Sequence, residues 1–248
     1  MFRTGMILAL MLVAAAAAAQ PSRFALEVEA GPVWQSYNDV EIPNDGTATR
    51  FSIKDLAGSG PWFAARAYLT WNINERHGLR ALAAPLTITE TGTPTDPIRF
   101  AGADYEGGTP TEVTYKFNSW RLGYRYTFGG GGERWTWRLG FTAKIRDAKI
   151  ALKQGETASE KTDLGFVPLL HVSTDWRFAG RWFLLLDIEA LAGGPGRAED
   201  VSLKFSREMS ERWSLAAGYR MVEGGADVDE VYNFAWFHYA VVSATWRF

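Results

Sequence analysis

The sequence predicts an all-β protein, a ten-stranded antiparallel transmembrane β-barrel that follows a cleaved signal peptide. Three observations lead there. Apolar and polar residues alternate with a period of two through most of residues 20–248. No stretch after Val13 offers the roughly twenty apolar residues that a spanning helix needs. The chain is also rich in aromatics, with 11 Trp, 15 Phe and 9 Tyr, yet its mean hydropathy is only −0.15. A membrane barrel reconciles the last two facts, because only alternate residues of each strand meet lipid.

Residues 1–19 carry Arg3, an apolar run from Met6 to Val13, and Ala14–Ala19 before Gln20. A positive start, a short apolar core and small residues at its end form the secretory pattern, and the run is short for a membrane anchor. The expected division is therefore a signal peptide over 1–19 and a barrel over 20–248. Cys is absent, which excludes a disulfide scaffold, a thiolate metal site and a cysteine nucleophile. A net charge of −2 supplies no field for nucleic acid, and no nucleic-acid partner is expected.

Successive residues of a strand point to opposite faces. The cleanest stretch is Trp135–Arg146. Trp135, Trp137, Leu139, Phe141, Ala143 and Ile145 form one face; Thr136, Arg138, Gly140, Thr142, Lys144 and Arg146 form the other. A helical period would mix the two sets. The same alternation sets Phe24, Leu26 and Val28 against Glu27 and Glu29, and Phe63, Leu69 and Trp71 against Arg66, Tyr68 and Thr70. Trp120, Leu122, Tyr124 and Phe128 oppose Arg121, Gly123 and Arg125; Phe166, Leu170, Trp176 and Phe178 oppose His171, Ser173, Asp175 and Arg177. Trp182, Leu184, Leu186 and Ile188 oppose Asp187 and Glu189; Val201, Leu203 and Phe205 oppose Ser202 and Lys204. Trp213, Leu215 and Tyr219 oppose Ser214, Gly218 and Arg220, and the last strand sets Phe234, Trp236, Val242, Trp246 and Phe248 against Ser243, Thr245 and Arg247.

Three places are irregular. Ala83-Ala84-Pro85 blurs the strand between Leu79 and Thr89. The apolar phase changes near Asn118 and Ser119, from odd Val113, Tyr115 and Phe117 to even Trp120 onward, which predicts a β-bulge. Pro32 and Pro168 each remove a ladder donor and predict irregular pairing. Long connections are expected at about Tyr37–Gly60, Glu90–Thr111, Leu152–Asp163, Ala192–Asp200 and Glu223–Val231. They alternate with short ones at Asn72–His77, Gly129–Glu133, Ala179–Arg181 and Arg207–Arg212. Gly129–Gly132 reads as a flexible turn, since Glu133-Arg134 does not continue it into a phosphate-binding motif.

Alternation alone fits a soluble barrel too. The tie is broken by Trp71, Trp135, Trp176, Trp182, Trp213 and Trp246, which collect at the short-turn ends as a periplasmic aromatic girdle. Indole prefers a membrane interface, where its ring is half buried and its N–H stays wet. The other face carries glycines and both signs of charge, and the chain stops at Trp246-Arg247-Phe248. A terminal Phe preceded by Ala240, Val242, Ala244 and Trp246 at alternate positions resembles the C-terminal assembly signal of bacterial outer-membrane barrels, although His238 departs from it one step earlier. The resemblance is to a class of proteins, not to one family. It implies outer-membrane location, lipid and lipopolysaccharide as surroundings, and the outer-membrane barrel assembly machinery as a partner.

The inward face is expected to hold Glu27, Glu29, Arg66, Arg121, Arg125, Arg138, Lys144, Arg146, Asp175, Arg177, Asp187, Glu189, Lys204 and Arg220. Confined charges need partners. A salt-bridged plug and a structural or surface-interaction role are the expectation. A narrow channel favouring small anions is the alternative. A lipid-modifying hydrolase is a second, since His171-x-Ser173 resembles the motif of the outer-membrane lipid A deacylase with Thr174 in place of its Asn. Ten strands also resemble the omptin proteases, whose Asp pair and Asp–His pair lie near the outer rim. Here His77 is placed in a periplasmic turn and His238 on the outward face. No catalytic residue, metal site or cofactor is expected; Asp39, Glu41, Asp45, Asp227, Asp229 and Glu230 read as solvated loop acids.

Overall fold

The computed structural model describes residues 22–129 and 134–248. The segment read as a signal and residues 130–133 of the glycine-rich turn lie outside them. The elements are β1 (Phe24–Glu41), β2 (Phe51–Ser52), α1 (Ile53–Ala57), β3 (Trp62–Asn72), β4 (His77–Ala84), β5 (Thr87–Gly92), β6 (Ile98–Phe100) and β7 (Ala103–Tyr105). They continue with β8 (Thr111–Phe128), β9 (Trp135–Gln154), β10 (Thr157–Ala179), β11 (Trp182–Gly193), β12 (Gly196–Glu208), β13 (Trp213–Val228) and β14 (Val231–Arg247).

These form a closed antiparallel barrel whose wall has ten strands: β1, β3, β4 with β5 as one, and β8 to β14. Each wall strand pairs with its neighbour in sequence, and β14 returns to β1 from Ala25↔Arg247 up to Glu41↔Tyr232. At the seam the Phe24 and Phe248 backbones exchange hydrogen bonds of 3.0 and 2.9 Å. Closure leaves no open edge in the sheet, as a strand structure in lipid requires.

The outward row is apolar around the barrel, with Leu122 at 57 %, Phe141 at 61 % and Val242 at 62 % exposure. At the short-turn end tryptophans stack in pairs on the outward face: the Trp135 and Trp176 ring centres are 5.2 Å apart, and those of Trp213 and Trp246 are 6.1 Å apart. A second aromatic group (Trp34, Tyr37, Tyr232 and Trp236) sits outward near the opposite rim, where the Tyr37 and Tyr232 hydroxyls are 3.2 Å apart.

The structure corrects the sequence reading in three places. The phase change near Asn118 is not a bulge. β8 pairs with β9 in one unbroken register from Glu112↔Lys153 to Phe128↔Trp137. Its odd residues point inward throughout, and Val113 and Tyr115 are buried because the interior itself becomes apolar there. The blurred strand is two strands, β4 and β5, separated by Pro85-Leu86; both pair with β8 in the same register. Its inward Leu82, Ala84, Leu86 and Ile88 are apolar for the same reason.

Pro32 interrupts the β1–β14 ladder without shifting it; the shift falls later, between Gln35 and Tyr37. That extra residue allows Asn38 and Val40 to continue the inward row begun by Val33 and Gln35. Pro168 stays in register with β9, and the ladder to β11 begins only at Leu170↔Ala190, so this proline lies beside an unpaired stretch of strand that has no need of its missing donor. Finally, three of the five expected long connections are tight. β9 and β10 are joined through residues 155–156, β11 and β12 through 194–195, and β13 and β14 through 229–230. The strands run on past the point where their apolar alternation fades.

The two connections that are long fold inward and close the outer mouth. Ser52 caps α1 by accepting from Asp55 N at 3.2 Å, and the turn delivers Ile53 and Leu56 to the interior. β6 and β7 form a small hairpin that buries Phe100 and Tyr105, whose hydroxyl donates to Leu152 O at 3.0 Å. Gly92 lets α1 approach, since a Cβ there would lie 1.9 Å from Leu56 O. These residues join Val33, Val40, Ile88, Val113, Phe237 and Val241 in one apolar core in the outer half of the barrel.

Leu122 is outward and far from both girdles. Leu122→Arg is expected to cost about 2–4 kcal/mol, checked by guanidinium unfolding of the protein in phospholipid vesicles.

Candidate functional site

Beneath the apolar core the inward rows turn polar, and the charged side chains meet across the barrel. Lys204 of β12 bridges Glu27 at 2.5 Å and Glu29 at 2.9 Å, both on β1. Glu29 accepts from Arg220 of β13 at 2.7 Å, and Arg220 also pairs with Asp200 of β12. Asp200 takes Arg66 of β3 and Arg121 of β8 as well, each at 2.8 Å. Arg121 reaches Glu189 of β11, which Arg80 of β4 also contacts at 3.2 Å and to which Thr142 donates at 2.8 Å. Arg80 ends the chain on Asp187 at 2.6 Å, beside His171 Nε2, which lies 3.2 Å from the same carboxylate.

The result is one continuous line of alternating charge in which five carboxylates (Glu27, Glu29, Asp187, Glu189, Asp200) balance five bases (Arg66, Arg80, Arg121, Lys204, Arg220). Asp200, 2 % exposed, is its hub, with three guanidiniums around one carboxylate. The aromatic hydroxyl edge is part of the same layer: Arg66 approaches Tyr68 Oη at 3.4 Å, and Arg80 stands 5.3 Å from the Tyr68 ring centre.

Of the inward residues expected from sequence, Glu27, Glu29, Arg66, Arg121, Asp187, Glu189, Lys204 and Arg220 come together in this line. Arg138 pairs with Asp175 at 2.7 Å nearer the short-turn end. Arg146 pairs with Asp163 toward the outer mouth. Lys144 lies 4.7 Å from the Phe117 ring centre, and neither it nor Arg125 has an ion pair among the described residues. Arg177 departs from the expectation: it is exposed at the short-turn rim, 5.0 Å from the Phe183 ring centre, because β10 extends there past the charged layer. Sequence reasoning missed Arg80, which lies in the blurred strand, and Asp200, which stood at the end of an expected loop. Both share the parity of inward neighbours, Arg80 with Leu82 and Asp200 with Ser202 and Lys204, and that parity was the available signal.

His171 and Ser173 do share the inward face. His171 Nε2 is directed at Asp187 and, at 3.5 Å, Arg80 Nη2, while Ser173 Oγ makes no hydrogen bond. His77 begins β4 at a turn and its Nδ1 lies 2.6 Å from Tyr124 Oη. His238 faces outward between Tyr219 and Ser36, at 2.5 and 2.8 Å. Among the described residues no cluster of His, Asp or Glu is arranged to hold a metal. Asp39, Glu41 and Asp227, expected as solvated loop acids, lie on strands because β1 and β13 run further than their alternation shows; Glu41 is buried and accepts from Arg50 at 2.8 Å, and Asp227 accepts from Asn44 at 2.8 Å. Asp45 accepts from the hydroxyl and N–H of Thr47, which hold its carboxyl below the usual range.

The polar layer opens downward into a pocket of about 380 Å³ at the short-turn end, lined by residues that include Arg80, Arg125, Arg138, Ser173 and Asp175. A second space of about 370 Å³ lies under the outer rim, between Tyr115, Ile150 and Lys161 on one side and Pro195, Gly225 and Val231 on the other.

No protein-family model matches the sequence, and no curated protein does. Solved structures do match in fold. The outer membrane protease OmpT from Escherichia coli aligns over 92 % of this chain and 97 % of its own, with 8 % identity and a TM-score of 0.52. The translocator domain of the autotransporter NalP from Neisseria meningitidis aligns over 90 % and 88 %, with 14 % identity and a TM-score of 0.42. Neisserial surface protein A aligns over 92 % and 98 %, with 13 % identity and a TM-score of 0.41. The chain therefore has the closed antiparallel barrel fold of outer-membrane proteins, a statement that rests on the OmpT superposition and on the apolar belt of the barrel itself.

Asp200→Asn would leave Arg66, Arg121 and Arg220 without their shared carboxylate. Uncompensated buried charge predicts a loss of about 3–5 kcal/mol, read from the guanidinium midpoint in vesicles and from reduced heat-modifiable mobility on gels.

Proposed function

We propose that this protein is an integral outer-membrane barrel with a closed lumen, working as a structural or surface-presenting element, not as a channel or a catalyst. The observation that carries the reading is the apolar core across the outer half. Val33, Ile53, Phe100 and Val40 are all 0 % exposed there. Water and small ions have no favourable path through packed side chains of this kind. Below it, the balanced ion-pair line is a second obstacle, since its charges already satisfy one another and offer a passing ion no net attraction. The inward folding of α1 and of the β6–β7 hairpin has a further consequence. It leaves the outer end as a built platform, formed by those two connections and by three protruding β-hairpins. A barrel that only spanned the membrane would need neither.

The reading without catalysis is supported by the inner histidine. A Ser–His nucleophile needs the base within hydrogen-bond reach of the hydroxyl. His171 instead turns its Nε2 to Asp187, and Ser173 Oγ has no such partner.

The test is single-channel conductance of the refolded mature protein in a planar bilayer, with folding verified by the gel shift on heating. Silence is expected from folded protein. Reproducible steps that change with Arg138→Glu would overturn the closed-lumen reading in favour of a channel.

A further inference from the structure

The ion-pair line accounts for its own charges but not for everything at its lower edge. Arg125 stands on the inner face of β8, with a glycine on each side: Gly78 on β4 and Gly140 on β9. A Cβ at Gly78 would lie 3.4 Å from Arg125 Nε, so the guanidinium stem runs over that position. On the other side Gly140 leaves β9 bare, and the next residue in the row is His171 on β10, with Ser173 two residues along the same face. Ser173 is paired in register with Arg138 and with Asp187. It is 4 % exposed, and its Oγ has no hydrogen-bond partner. Ser202 and Ser214, 1 % and 4 % exposed, line the same pocket with hydroxyls that are equally unpartnered.

A buried hydroxyl without a partner costs roughly 1–3 kcal/mol, and native proteins rarely leave several facing one cavity. Here they line a pocket of about 380 Å³ whose wall also carries Arg125, which has no ion pair among the described residues, with Arg247, Glu75 and Glu208 at its short-turn mouth. Arg80, which already holds Asp187 and Glu189, and Arg138, which holds Asp175, stand beside it and retain further N–H donors. Carboxylates share the lining, Asp175 and Asp187 among them, but where the Arg125, Arg80 and Arg138 donors face one confined polar space they suit an oxyanion.

We propose that the pocket at the periplasmic end is a binding site for a phosphate-type oxyanion, held by Arg125 and Ser173 with Arg80 and Arg138 flanking. The planar guanidinium of Arg125 donates to two oxygens, Ser173 Oγ donates to a third, and the remaining face is open to the periplasm for whatever carries the phosphate. Asp175 lies close enough to compete for Arg138 and weakens the site. The proposal goes beyond the closed-lumen reading and does not need it, because the pocket lies wholly on the inner side of the apolar core.

The test is calorimetric titration of the refolded protein, in a neutral alkyl-glycoside detergent, with inorganic phosphate and separately with glycerol phosphate. Saturable binding of one or both is expected, and the stronger of the two tells whether the free ion or a phosphate on an organic body is preferred. Arg125→Gln is expected to weaken binding about tenfold or more, the loss of one charged hydrogen-bonding pair. Arg125→Lys keeps much of the affinity, Ser173→Ala loses a few-fold, and Asp175→Asn tightens binding by freeing Arg138. Arg99→Gln, on the outer β6–β7 hairpin, leaves it unchanged. Should Arg125→Gln fail the gel-shift test of folding, the Ser173→Ala and Asp175→Asn variants carry the decision. No saturable binding, or binding indifferent to these inner substitutions, would overturn the site and leave the hydroxyls to water.

Discussion

Asp200 holds the interior of this barrel together. One carboxylate, sealed from solvent, receives guanidiniums from β3, β8 and β13, strands from separate parts of the wall. The ladders between neighbouring strands fix the wall locally, but nothing in a ladder joins its opposite sides. The Asp200 contacts do so, and they do it where an apolar filling would be harder to arrange. A barrel of this width leaves more room than short side chains can occupy. Arginine fills space with its stem and then requires an acid at its tip, so each long base calls for a carboxylate across the lumen. The alternation of Glu27, Lys204, Glu29, Arg220, Asp200, Arg121, Glu189, Arg80 and Asp187 is the result.

The same constraint explains the glycines. Gly123 and Gly218 lie beside Arg80 and Lys204 in their rows, and Gly78 and Gly140 lie beside Arg125. At these three cations a neighbour in the row has no side chain, whereas Arg121 lies between Leu82 and Lys144 and Arg220 between Ser202 and Tyr239. A Cβ at Gly140 or Gly218 would also press on the backbone of the adjoining strand, at 1.9 Å from Tyr124 O and 2.1 Å from Leu203 O. Small residues therefore serve two needs at once, the close approach of coiled strands and the volume of the crossing bases. The outer half solves the filling problem differently, with loops carrying Ile53, Leu56, Phe100 and Tyr105 into the mouth. The interior changes from ion pairs to hydrocarbon along its length, and this change is what makes the two ends of the molecule chemically different.

That change also marks how far the sequence could be read. Period-two alternation identifies strands only while one face is polar and the other apolar. It holds for Trp135–Arg146, where lipid lies outside and charge inside. It fails for Val113–Phe117 and Leu82–Ile88, where the interior is apolar, and there the inward residues imitate a shift of phase or a broken strand. It fails again in the β9–β10 hairpin, where β9 turns apolar Ile150 and Leu152 inward and charged Lys149 and Lys153 outward, and both faces of Thr157–Asp163 are polar. Strands such as Asp147–Gln154 and Thr157–Asp163 then resemble loops, although their backbones continue the ladder in register. The charged interior was legible by parity wherever the outward face was clear. Arg80 and Asp200 were hidden because they lie at those two kinds of boundary.

Arg125 shows what pairwise balance leaves over. Most inward bases have an acid within reach because burial without one would be costly. Arg125 lies just below the filled layer, where the pocket opens, and among the described residues it has no carboxylate partner. The buried hydroxyl of Ser173 faces the same pocket, one row from the paired Arg138. Structural need accounts for charges that are matched. A base held between two glycines, without an acid among the described residues and beside a hydroxyl without a partner, is better accounted for by a ligand that arrives from outside the chain, through the short-turn end where the pocket opens.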